Sequence, residues 1–204
     1  MAYMKQVPLL TLTRKVLFPG IPFYCTVADP VDEDMIFDTV RGRRFVAVRP
    51  GRELGEPSLT DVVCLARQRQ VHSLPHGGLL IQLLGIARAR IRAEVPRGKP
   101  YRCVQIEVFG GPGQILPIPS GWLSEACQAI RCLRGQPRPE PDPFPEGLWL
   151  DMLCHFLPVP FDAKLKLLEE SCDQRRCQLL TDYREYCKSS AWMRNYLPRL
   201  VYSN

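Results

Sequence analysis

Long apolar runs are missing from this chain. No stretch approaches the roughly 18 uncharged residues that a membrane-spanning helix needs. The N-terminal residues MAYMKQVPLL lack a basic segment followed by an apolar core, so no signal peptide is expected. The glycine signatures G-x-x-x-x-G-K-[ST] and G-x-G-x-x-G do not occur, which excludes the common phosphate cradles, and no serine stands in G-x-S-x-G. Histidine is scarce, with three residues. His72 and His76 fall in a proline-containing loop without further ligands at zinc spacing. Cys154 and His155 are neighbours on an expected helix and point about 100° apart, so they do not form a catalytic pair. Cysteine is plentiful at nine, yet no two stand in C-x-x-C; Cys127/Cys132 and Cys172/Cys177 are each five apart. They read as small buried hydrophobes of a reducing compartment, and the expected location is the cytoplasm. No catalytic residue, metal ligand or cofactor site is expected.

The composition is that of an ordinary globular chain, 46% hydrophobic and 24% charged, with a net charge of +6. The excess is uneven. Residues 1–110 hold 16 Lys and Arg against 10 Asp and Glu, and residues 111–204 hold 11 of each. A basic first half permits an acidic or nucleic-acid partner without requiring one.

The most ordered signal is Leu79 to Val95, LLIQLLGIARARIRAEV. Its odd positions carry no charge, and its later even positions are Arg88, Arg90, Arg92 and Glu94. A period of two predicts a long strand with one buried face, interrupted at Gly85 by a bulge or the close approach of another backbone. Residues 62–73 alternate likewise and predict the antiparallel partner, joined through a loop at 72–78. Further strands are expected at Val7–Leu12, Tyr24–Val27, Phe45–Val48 (ended by Pro50-Gly51) and Tyr101–Phe109, with a short extended piece at Ile115–Ile118. Asp29-Pro30 predicts a capped helix to Val40 with Met35, Ile36 and Val40 inward.

After residue 118 the pattern becomes helical: Ser120 to Leu133, Leu148 to Leu157, Ala163 to Glu170 capped by Asp162, and Asp173 to Lys188, which Ala191–Leu197 extend. In the last of these, Cys177, Leu180 and Leu179 are expected inward. Prolines at every second position from 137 to 145 make 135–147 a stiff connector. The expected domains are therefore 1–118, β-rich with one helix, and 119–204, helical.

Two features are candidates for partner contact. One is the proline-rich apolar run around Phe18, Ile21 and Phe23. The other is the arginine set of the paired strands, Arg88 and Arg90 foremost, with Arg67, Arg69 and Arg92. RNA stacking would want aromatics among these arginines, and none lies between Arg67 and Glu94.

The order of the pieces resembles the LON substrate-binding domain, the N-terminal part of Lon (La) ATP-dependent proteases. The resemblance rests on Val7-Pro8-Leu9-Leu10, Val16-Leu17-Phe18-Pro19-Gly20 and Pro22-Phe23. It continues in Leu83, Gly85, Arg88, Ala89, Arg90 and Ile91, and closes on Leu157-Pro158, Lys164, Leu167-Leu168-Glu169 and Asp173. It implies an α+β fold, a mostly antiparallel PUA-like pseudo-barrel followed by a small helical bundle. It also implies a non-enzymatic module that binds unfolded polypeptide segments or a protein partner, here without ATPase or protease domains. The alternative is an RNA-binding PUA-like module that uses the basic sheet face. The connector at 135–147 is a departure from the family pattern.

Overall fold

A computed structural model describes residues 4–51, 60–96, 98–110, 149–157 and 159–189. The expected helix at 120–133, the connector at 135–147 and the segments at 115–118 and 191–197 lie outside these residues. The chain divides into two compact units, Met1–Gly111 and Pro112–Asn204.

The first unit is a mixed six-stranded sheet with one helix: β1 (Met4–Thr13), β2 (Pro22–Val27), α1 (Pro30–Arg41), β3 (Phe45–Gly51), β4 (Val62–Ser73), β5 (Leu79–Glu94) and β6 (Cys103–Val108). The strand order is β2-β5-β4-β3-β1-β6, and β5 pairs with β6 to close five of the strands into a ring. Only the β1–β3 pair is parallel. Val7, Leu9, Ala47, Val63, Leu65, Ala89, Val104 and Ile106 fill the ring.

β5 organises this unit. One of its edges pairs with β4 from Leu79 to Arg90, while the other pairs first with β2 along Leu79–Leu84 and then with β6 from Ala89. The notch between β2 and β6 is occupied by the turn Phe18–Ile21. Gly20 N donates to Gly85 O at 2.9 Å, and Gly85 N donates to Ile21 O at 3.1 Å. Gly20 supplies φ 76° at the third position of this Pro-Gly turn, as a type II turn requires. A Cβ on Gly85 would stand 2.1 Å from Phe18 O. Both expectations at Gly85 are therefore realised together, because the β4 partner steps from Ala66↔Gly85 to Leu65↔Ala87 and leaves Ile86 as a bulge.

That bulge corrects the expectation of one buried face on β5. Directly opposed residues share a face, so Gly85 lies on the side of Ala66, whereas Ala87 lies on the side of Leu65. The odd residues Leu79, Ile81 and Leu83 are thus buried on one side of the sheet, and Ala87, Ala89 and Ile91 face the ring interior on the other. Arg88, expected outward, is carried beside Cys64 and buried.

α1 starts as expected: Asp29 Oδ1 accepts from Val31 N at 2.8 Å, and Asp32 and Glu33 lie in the first turn. Its inner face holds Met35, Ile36 and Thr39, while Val40 points outward. Thr39 tolerates burial because its hydroxyl donates to Met35 O at 2.7 Å. β3 runs on through Pro50 and Gly51, which pair with Leu12 and Thr13.

The second unit contains α2 (Trp149–Phe156), α3 (Phe161–Glu169) and α4 (Asp173–Ser189). α3 is entered through Pro160 with no side-chain cap, so Asp162 sits in its first turn instead of capping it. On α4, Leu180 is buried, and so is Arg176, whereas Cys177 and Leu179 are only partly covered. The Arg176 guanidinium donates to Asp151 Oδ1 at 2.5 Å, Leu167 O at 3.0 Å and Asp173 Oδ1 at 3.4 Å, and it touches Cys154 Sγ. One cation thereby ties all three helices.

Candidate partner-binding surface

The five residues singled out from sequence fall in different environments. Phe18 and Ile21 are buried, at 0% and 3% exposure. Their role is to seat the 18–21 turn on Gly85; they offer a partner no surface of their own. Phe23 is half-buried on the inner side of β2, opposite Leu83, with Lys15 Nζ 5.3 Å from its ring centre. Arg88 and Arg90 share one side of β5 and both lie over the Phe109 ring, at 5.1 and 5.6 Å. Sequence reading missed this aromatic because it comes from the end of another strand.

The arginine face is not an open basic stripe. Arg88 is buried, Arg92 is bridged to Glu107, and Arg102 pairs with Glu94 at 2.5 and 2.9 Å. The Arg102 pair holds the Glu94 carboxyl below its ordinary range. Arg90 alone of the β5 arginines is both exposed and without a carboxylate partner among the described residues. This arrangement gives the RNA reading no support.

The open surface lies elsewhere. Beyond the bulge, the side of the sheet that continues the ring interior emerges from the barrel. Pairing aligns Pro22, Leu84, Arg67 and Phe45 in one row across β2, β5, β4 and β3, and Tyr24, Gln82 and Gln70 in the next. A second register step at Gln68/Gln70 leaves Arg69 unpaired beside them. Pro22, Arg69, Gln70, Gln82 and Leu84 line a hollow of ≈ 460 Å³. Tyr24 stands 55% exposed at its margin, its hydroxyl accepting from Gln82 Nε2 at 2.6 Å. Among the described residues β2 pairs on one side only. From sequence, the even apolar positions Leu80 and Leu84 imply that the first half of β5 is covered on both faces; in the structure both are only partly covered.

No group of three or more His, Cys, Asp or Glu side chains that could hold a metal occurs among the described residues. Cys25, Cys64, Cys103 and Cys154 are buried, whereas Cys172 is exposed. Burial pushes the Cys25 thiol up to about 11, against a smaller opposing effect of Lys15.

A ring of strands closed by β5 on β6, with β2 left at its edge, is the fold of Lon N-terminal domains. The chain is a member of the ATP-dependent protease La (LON) substrate-binding domain family, whose model matches residues 6–130. A Lon N-terminal domain protein from Xanthomonas campestris superposes with a TM-score of 0.66 at 18% identity, covering 87% of this chain and 98% of its own. The N-terminal domain of a Mycobacterium avium complex Lon protease gives 0.60 at 17% identity, covering 88% and 97%. No curated protein matches the chain.

Proposed function

We propose that this chain binds extended polypeptide segments as a non-enzymatic module, at the surface between β2, β5 and β4. The observation that carries the proposal is the hollow itself. Pro22 and Leu84 offer apolar walls, while Gln70 and Gln82 offer amide donors and acceptors to a main chain. The one-sided pairing of β2 adds an edge along which a strand can be added. Membership of a substrate-binding family favours a polypeptide as the occupant. Pro22 and Tyr24 frame the β2 side, Phe23 lies on the opposite face of that strand, and Phe18 and Ile21 act from beneath by fixing the turn. The Arg88–Phe109–Arg90 stack serves the sheet itself. The singly buried thiols suit work in a reducing compartment, and no described helix is long and apolar enough to cross a membrane.

The test is anisotropy of a labelled, permanently unfolded polypeptide titrated with the full 204-residue chain. Saturable binding that persists in high salt is expected, weakened about tenfold by Leu84→Ser through lost apolar contact. Absence of saturable binding across a panel of unfolded polypeptides would overturn the proposal.

A further inference from the structure

Resting on that peptide-binding reading, we propose that the hollow selects segments in which an Asp or Glu side chain adjoins an apolar one. Charge complementarity points to this ligand. β2, β4 and residues 79–93 of β5 contain no carboxylate, yet Arg67 and Arg69 both project at this surface. Elsewhere on the sheet, Arg92 is neutralised by Glu107 and Arg102 by Glu94, and Arg90, which has no carboxylate partner among the described residues, is stacked on Phe109. Arg67 and Arg69 have no hydrogen bond or ion pair among the described residues. Arg67 stands directly opposite Leu84, and Arg69 lines the hollow with Pro22 and Leu84. Two cations without counter-charges thus border one apolar wall, and a ligand carboxylate beside an apolar side chain matches both. The carboxylate is a side chain within the segment, not a chain terminus. The described lining residues all come from strands and form no backbone N–H nest of the kind that captures a terminus. A nucleic acid is disfavoured because Tyr24 is the single exposed ring beside the hollow among the described residues, and the described walls are aliphatic and amide.

The test compares matched extended peptides of apolar sequence bearing internal Glu, its Gln isostere, or a free C-terminal carboxylate in place of the Glu, titrated with the full chain. At low salt the Glu peptide is expected to bind about fivefold more tightly than the Gln peptide, the most that exposed pairing ordinarily supplies. High salt should shrink that ratio. The double variant Arg67→Gln/Arg69→Gln should erase the ratio, so that this variant binds the Glu and Gln peptides equally. The charge-matched control Lys166→Gln/Arg175→Gln should preserve it. Equal binding of Glu and Gln peptides overturns the selectivity and leaves peptide binding standing. Failure of all peptides to bind overturns both. The selectivity is also overturned if it survives the double variant, if the terminal carboxylate is preferred, or if a single-stranded oligonucleotide displaces the Glu peptide.

Discussion

Gln68 is 2% exposed on β4, and neither end of its amide finds a hydrogen bond. A buried amide without partners costs more than the apolar group that could replace it. Gln68→Met keeps the volume and removes the polar atoms, so it should raise the stability of the first unit by about 1–2 kcal/mol, read as a higher urea midpoint at unchanged slope. Arg176 is the reverse case, a buried cation fully engaged. Asp151→Ala leaves it short of a counter-charge and should cost about 3–5 kcal/mol. The three tryptophans, Trp122, Trp149 and Trp192, all belong to the second unit, so their fluorescence reports this loss. His155 and Lys164 set the pH response there. Burial, with Lys164 adding to it, pushes His155 down to about 4. Its contribution is therefore complete above the unfolded value of 6.5, drains away as pH falls toward 4, and changes no further below. The swing is at most about 3 kcal/mol, and His155→Gln should flatten it in tryptophan-detected denaturation between pH 4 and 7. Burial, partly countered by Cys154, also lowers Lys164 to about 8, so stability should rise again between pH 8 and 10.5.

At the scale of the element, β5 depends on one missing side chain. Gly85→Ala would drive a Cβ into the Phe18 carbonyl at 2.1 Å and the Pro19 Cα at 3.1 Å, so the 18–21 turn must lift from its notch. The expected cost is about 3 kcal/mol in denaturant unfolding, with weakened peptide binding because β2 follows the turn directly. The strands themselves were readable, since period-two alternation marked β4, β5 and β6 and Asp29-Pro30 marked the start of α1. The side change at Ile86 was not readable. Both odd sets on β5 are apolar, so a bulge that swaps them between faces leaves the alternation intact. The burial of Arg88 follows from that unseen step, and its stacking on Phe109 from a strand distant in sequence. Arg176 was hidden for a related reason: the residues expected inward on that helix were Cys177, Leu179 and Leu180, and only the third dimension brings Asp151 and Leu167 to Arg176. The apolar run at Phe18 was legible as important, but sequence does not distinguish a surface patch from a buried keystone.

For the whole molecule, family and fold agree on the Lon substrate-binding domain type, and the proposed docking surface is the open side of the sheet between β2, β5 and β4. Most of the candidate site was invisible from sequence because its rows assemble residues from four strands through two register steps. The central claim is that polypeptide docks between β2, β5 and β4. Amide hydrogen exchange of the full chain, with and without a saturating unfolded polypeptide, tests it most directly. Slowed exchange is predicted in β2 at Phe23–Val27 and in β4 at Arg69–His72, with Arg90 and Phe109 unchanged. Protection centred on Arg90 and Phe109, or no protection in β2 and β4 despite saturation, would contradict the account.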